Sequence, residues 1–143
     1  MTRTFTLPEA QALIPVLNSL LQRAQSAAGV ATARDHVLQS LHHAIFLSGG
    51  MRVDLQGVSR VKAEHDKAVE EARETLGEIS EIGVEVKDLD TGLLEFPFQL
   101  EEQVVLLCWI QGESGIEAWR TADQSYDERQ PLDERFTRGE RPH

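Results

Sequence analysis

Three carboxylates near one turn are the side chains of this sequence best placed to do chemistry. Asp88 and Asp90 precede the turn glycine Gly92, and Glu95 follows it. Strands disfavour Asp and Glu, so this concentration needs an explanation. Mg²⁺ and Ca²⁺ bind carboxylates from several segments, and two carboxylates in different environments can act as acid and base. The structural alternative is turn chemistry, in which Asp binds its own backbone and Gly adopts a positive φ.

A second set of candidates follows this turn and combines aromatic residues with arginines. Such residues line pockets for planar or anionic ligands, and they equally serve to close a sheet over helices. We expect Arg129 to pair with Asp88 or Asp90, because the turn carries excess negative charge and residues 120–135 are the next source of arginine. The candidate ligand-binding residues are therefore Asp88, Asp90, Glu95, Trp119 and Arg129.

Two histidines are candidate metal ligands. His65 lies on the apolar seam of a predicted helix, so we expect its side chain to be at least half buried, and His42 borders the apolar stripe of another helix. Antiparallel packing of the two helices could bring them together, and zinc or iron accepts imidazole. The alternative is that both are ordinary core or surface histidines. The pair of Glu-x-x-His motifs expected of di-iron helical bundles is absent, and so is His-Glu-x-x-His. No cofactor can be named.

Other catalytic signatures are missing from the sequence. Cys108 is the single cysteine and lies in the most apolar segment, which predicts a small buried hydrophobe rather than a nucleophile. No Ser-His-Asp order, phosphate loop, dinucleotide fingerprint or Cys-x-x-Cys motif is present. We therefore assign no catalytic residue, and the sequence leaves open whether the protein is an enzyme.

The negative charge of the chain is concentrated in one segment. The net charge is −10, and residues 64–102 contain 13 acidic and 3 basic residues, so the remainder is balanced. This distribution argues against a nucleic-acid partner and suits a cation or a basic protein. No apolar run approaches the ~20 residues that span a bilayer, and the N-terminus lacks a secretion signal. We therefore expect a cytoplasmic protein with no membrane or nucleic-acid partner.

Periodic apolar residues predict three helices. The first begins at a capping box formed by Thr6 and Glu9, and Gly29 is predicted to end it. The second covers residues 32–47, and the third covers residues 59–82. The seam of the third helix is about 20 residues long, so association into a homodimer is one expected arrangement.

Alternating segments predict strands over residues 84–89, 93–98 and 104–110, with a further short strand at 116–120. Pro97 predicts that the second strand is an edge or bulged strand. The predicted fold class is α+β, a three-helix antiparallel bundle with a small antiparallel β-sheet (a meander). Residues 1–136 form one predicted domain and 137–143 a flexible tail.

The order of these motifs resembles a known family. The features are Phe5-Thr6-Leu7, Leu13-Ile14-Pro15, the run from Gly83 to Leu93, Phe96-Pro97, Leu107-Cys108-Trp109, Gly112-Glu113, Trp119, Asp123 and Arg129-Gln130-Pro131-Leu132. Together they resemble the bacterial family named domain of unknown function 2203, from Phe5 to about Leu132. The resemblance implies no activity, because none is established for the family. Members commonly have His after the second Trp, where this chain has Arg120.

Two functions remain open from the sequence. The first hypothesis is a non-enzymatic binding or interaction protein with an acidic surface, whose partner is a second copy, a basic protein or a small ligand. The alternative is a small metal-binding protein or enzyme that uses the turn carboxylates with Arg129 or His65.

Overall fold

A computed structural model describes residues 3–49 and 55–137. Its elements are α1 (Leu7–Leu47), α2 (Leu55–Ile82), β1 (Glu85–Asp88), β2 (Leu93–Leu100), β3 (Gln103–Ile110), β4 (Ala118–Thr121), a 3₁₀ turn (Tyr126–Glu128), β5 (Gln130–Pro131) and α3 (Glu134–Thr137). The α+β class is confirmed. The tail predicted at 137–143 lies, apart from Thr137, outside the described residues.

The first predicted helix begins as expected but does not end at Gly29. The backbone N–H of Thr6 donates to Glu9 Oε1 at 2.8 Å, and that of Glu9 donates to Thr6 Oγ1 at 3.2 Å, which confirms the capping box. α1 then runs through Gly29 to Leu47, so the predicted break is wrong, and the predicted three-helix bundle is not confirmed. A glycine inside a helix costs only about 1 kcal/mol, and four alanines within four residues of Gly29 offset this cost.

The described chain divides into two units. The first comprises residues up to Leu21 and from Leu76 onward, and the second comprises Gln22–Thr75. Each long helix therefore contributes to both units. No helix in the described ranges carries a stretch long and apolar enough to cross a membrane.

The first unit contains a five-stranded antiparallel meander in the order β1-β2-β3-β4-β5. Leu94 pairs with Trp109, and Phe96 pairs with Leu107. Because side chains alternate along a strand, these four residues lie on one face, where they join Leu17 and others in the core. Glu95 pairs with Cys108, so both side chains lie on the opposite face.

Pro97 lies in β2 where only one neighbouring strand is present. β1 pairs with β2 only as far as Glu95, so among the described residues Pro97 has β3 on one side and no strand on the other. The missing N–H therefore leaves no ladder bond unmade on the open side. The Pro97 carbonyl accepts instead from the backbone N–H of Phe5 at 2.8 Å. The predicted edge character is thus correct for this part of the strand.

The second unit is a pair of helical segments, residues 22–47 of α1 and 55–75 of α2, which we call the helical hairpin. Arg34 Nε lies 3.7 Å from Glu64 Oε2, an ion-pair distance longer than a hydrogen bond, and this links the two segments. The buried residues of the described hairpin are Ala24, Ala27, Ala68 and Thr75. Because these side chains are small, the hairpin buries little apolar area within itself.

Candidate functional site

Asp88 shapes the β1–β2 turn. Its Oδ1 accepts from the backbone N–H of Asp90 at 3.1 Å, and its Oδ2 accepts from the Thr91 hydroxyl at 3.0 Å. Gly92 follows with φ of +73°, as the turn requires. The structural reading of this turn therefore accounts for Asp88, and the Asp90 side chain is exposed beside it.

Glu95 forms a buried ion pair with Arg120. The carboxylate is fully buried. Arg120 Nε donates to Glu95 Oε2 at 2.6 Å, and Nη2 donates to Oε1 at 2.8 Å. This two-point geometry is the strongest form of an arginine–carboxylate contact. The hydrogen bonds to Glu95 raise the pKa of the Arg120 guanidinium.

Strand register explains why Glu95 meets Arg120. Glu95 pairs with Cys108, and Cys108 pairs with Ala118. Arg120 lies two residues further along β4, so its side chain is on the same face and reaches diagonally across β3. Its Nη1 also donates to the backbone carbonyls of Thr121 and Gln124. All three guanidinium nitrogens are therefore engaged.

Cys108 lies within this buried cluster as a protonated thiol. Its Sγ is 3.8 Å from Glu95 Oε2. Burial, together with the negative charge of Glu95, raises the pKa of the thiol to about 12. Since the thiolate is the nucleophilic form, this environment suits a structural residue, as the sequence predicted.

Arg129 does not make the contact that the sequence predicted. Its guanidinium carbon lies 4.0 Å from the ring centroid of Tyr126, and Nη1 donates to the Tyr126 carbonyl at 3.2 Å. In the part of the chain that the structure describes, Arg129 forms no ion pair with Asp88 or Asp90, so that prediction is wrong. The carboxylate of Asp88 is hydrogen-bonded within the turn, and the arginine that reaches the buried Glu95 is Arg120.

Trp119 belongs to the core face of the sheet. It is buried, and its ring centroid lies 5.2 Å from that of Phe136, with Arg135 5.4 Å above the indole ring. Trp109 is buried on the same face, and its Nε1 donates to the Glu113 carbonyl at 3.1 Å. Of the two readings of this aromatic set, the packing favours closure of the sheet over the helices.

The two candidate histidines differ in environment. The side chain of His65 is 26% exposed, which confirms the predicted burial, and its Nδ1 lies 3.1 Å from Asp66 Oδ1. His42 is exposed. Within residues 3–49 and 55–137, no group of three or more His, Cys, Asp or Glu side chains is arranged to hold a metal ion.

A cavity of about 600 Å³ lies in the first unit between the N-terminal segment, the end of α2 and β1. Its lining includes Leu76, Val86 and Leu89 with the charged residues Arg3 and Glu85. Arg3 Nη1 donates to the Ile82 carbonyl at 3.0 Å, and the guanidinium stacks on Phe5 at 4.7 Å. Its charged group is thus already committed to the helix end.

The helical hairpin exposes apolar side chains that sequence reasoning did not single out. Val30 and Val37 are 44% and 38% exposed, and Phe46, Leu47 and Leu55 are 80%, 69% and 70% exposed. A groove of about 380 Å³ runs between the two helical segments, and Val30 lines it. The available signal was the seven-residue recurrence of Val30 and Val37 on one face of a continuous helix.

The comparison with known proteins identifies one family. The sequence model described as "Uncharacterized conserved protein (DUF2203)" matches residues 3–132, which is most of the chain. This confirms the resemblance drawn from the motifs. No curated protein and no solved structure matches the chain.

Proposed function

We propose that this chain, which belongs to the uncharacterised conserved family DUF2203, is a non-enzymatic interaction protein that binds a macromolecular partner through the helical hairpin. The observation that carries the proposal is the exposure of Val30, Val37, Phe46, Leu47 and Leu55 on this one unit. Exposed apolar patches mark interaction sites in monomeric domains, and Val30 and Val37 lie on one face of α1. Because the hairpin buries little apolar area within itself, a partner that covers its exposed apolar residues would stabilise it.

The environments of the candidate catalytic groups support a binding role. Asp88 supports a turn, Glu95 is neutralised by Arg120, and Cys108 is protonated. Each group therefore has a structural role that accounts for its residue type.

Two partners are candidates for the helical hairpin. The acidic segment 64–102 favours a basic protein, and the exposed apolar residues favour a second copy of the chain. The rival function is a small metal-binding protein or enzyme, and its support is the half-buried imidazole of His65 beside Asp66. Elemental analysis of the purified protein tests that rival, since stoichiometric metal would favour it.

The interaction proposal is tested by comparing two variants that carry new charges. Val30→Lys with Val37→Lys places two charges on the hairpin, whereas Val104→Lys changes a valine of similar exposure, 39%, on the sheet. Tagged wild type, the hairpin variant and the sheet variant are used to recover partners, including the untagged chain, under identical conditions. Loss of the same partners in the hairpin variant alone supports the proposal. Equal recovery by all three chains contradicts it.

A further inference from the structure

An uncharged stripe runs along the exposed side of α1 in the helical hairpin. Its members recur at intervals of three and four residues and are all exposed: Ser26, Val30, Ala33, Val37 and Ser40. Ser26 and Val30 also line the groove beside α2. This spacing places the five side chains in one line along the helix. Their small size allows another helix to approach closely.

The two ends of the hairpin carry opposite charge. The end near Thr75, residues 22–35 and 64–75, has six acidic and four basic residues. The end near the connection between the helices, residues 36–49 and 55–63, has two basic residues and no acidic residue, together with three histidines. Glu64 and Glu71 of the acidic end line the groove, together with Arg23 and Lys67. The groove therefore presents the uncharged stripe beside two acidic and two basic side chains.

We propose that a second copy of this chain occupies the groove in antiparallel orientation. This inference rests on the proposed function and names its partner. The uncharged stripe of one copy packs against the same stripe of the other. Because the two copies are antiparallel, the basic end of each hairpin lies against the acidic end of the other. A twofold axis then passes near Ala33, which brings Val30 opposite Val37 and Ser26 opposite Ser40 of the second copy. Such a self-complementary contact is the usual form of a homodimer interface.

Charge selects the antiparallel orientation over the parallel one. A parallel pair would place the two acidic ends together, and like charges across an interface are unfavourable. The antiparallel pair joins opposite charges, whose attraction is screened over roughly 10 Å at 0.1 M salt. We therefore expect the dimer to weaken several-fold as salt rises, whereas a parallel dimer would become stronger.

Engineered cysteines test the orientation directly. Ser26→Cys, Ser40→Cys and Ala33→Cys are prepared separately, and the native Cys108 is buried and does not compete. A disulfide needs Cα atoms within about 7 Å. We expect Ala33→Cys to cross-link with itself, and Ser26→Cys to cross-link with Ser40→Cys only when the two proteins are mixed. Cross-linking of Ser26→Cys or Ser40→Cys each with itself would show a parallel dimer and overturn the inference.

The controls separate this inference from the broader proposal. If none of the cysteine variants cross-links under mild oxidation, the partner is not a second copy and the inference fails. If wild type recovers a different protein and the variant Val30→Lys with Val37→Lys does not, the hairpin binds that protein, and the proposed interaction role is supported. If neither wild type nor any variant recovers a partner, and no cross-link forms, both the interaction role and the homodimer inference are wrong. Far-ultraviolet circular dichroism confirms that each variant keeps its helices.

Discussion

The buried pair of Glu95 and Arg120 is the residue-scale feature that most affects stability. Burying the charges of Glu95 and Arg120 away from water costs free energy. Their two-point contact, together with the backbone carbonyls that accept from Arg120, offsets that cost. Removing one partner leaves the other charge buried without compensation. The pair thus ties β2 to β4 across β3, and the two residues depend on each other.

Arg120→Met should lower the free energy of unfolding by about 3–5 kcal/mol, because it leaves the Glu95 carboxylate buried and unpaired. Arg129→Met is the matched control and should cost under about 1 kcal/mol, since Arg129 is exposed and contacts Tyr126. Urea unfolding of both variants gives the two values. Equal losses, or a larger loss for Arg129→Met, would contradict the assignment of the pair.

The thiol of Cys108 should make stability fall at high pH. The folded state holds the proton up to a pKa of about 12, whereas the unfolded thiol loses it near 9.0. The contribution is therefore complete below pH 9 and is lost as pH rises toward 12, at up to about 1.4 kcal/mol per pH unit. Cys108→Ala should flatten the decline between pH 9 and 11 in denaturant unfolding. Parallel declines in both proteins would show that the thiol is not responsible.

Among the secondary-structure elements, α1 shows which features local sequence patterns predict and which they do not. The capping box and the helix end at residue 47 were predicted correctly from neighbouring residues. Gly29 was misread as a helix end, because glycine favours that position but does not require it. Whether a glycine ends a helix depends on the packing of the residues beyond it, which a local pattern does not contain.

Gly29→Ala should stabilise the protein by about 0.5–1 kcal/mol, because alanine is the better residue inside a helix. A β-carbon at Gly29 meets no atom within 4 Å. Gly77→Ala in α2 has the same open surroundings and should give a similar gain. Thermal unfolding measures both changes. Destabilisation by Gly29→Ala alone would mean that the residue adopts the left-handed conformation of a helix end.

Gly92→Ala should destabilise the β1–β2 turn by more than the backbone strain alone. The residue has φ of +73°, and a β-carbon there would lie 2.5 Å from Gln111 Cβ. Gly49→Ala is the control, since its φ of +68° is similar and its β-carbon meets nothing within 4 Å. We expect about 1 kcal/mol for Gly49→Ala and at least about 2 kcal/mol for Gly92→Ala. Equal costs in chemical denaturation would exclude the steric contact.

The sheet was predictable in its strands but not in its pairing partners. Alternation located β2 and β3, and it placed Glu95 after the turn. Which arginine meets Glu95 depends on the register of β4 against β3, where Arg120 pairs with Leu106. Residue type alone does not distinguish Arg120 from Arg129 as the partner of Glu95. Only the strand order places the first on the face of Glu95 and leaves the second beside Tyr126.

The net charge of −10 is unevenly distributed over the whole molecule. The excess lies in residues 64–102, and within the helical hairpin the acidic residues are grouped at one end. An acidic chain repels its own copies at long range. A hairpin with opposite charges at its two ends can overcome that repulsion locally in one orientation. We therefore expect self-association to depend on the hairpin rather than on the average charge.

Sedimentation equilibrium of the purified chain tests the central claim most directly. We expect a dimer of twice the 16.0 kDa chain mass at concentrations up to about 100 μM. Val30→Lys with Val37→Lys should weaken it at least about tenfold, because the apolar contact is lost and charges are buried. Val104→Lys should leave it unchanged. A wild-type chain that remains at 16.0 kDa over the whole range would contradict self-association through the helical hairpin.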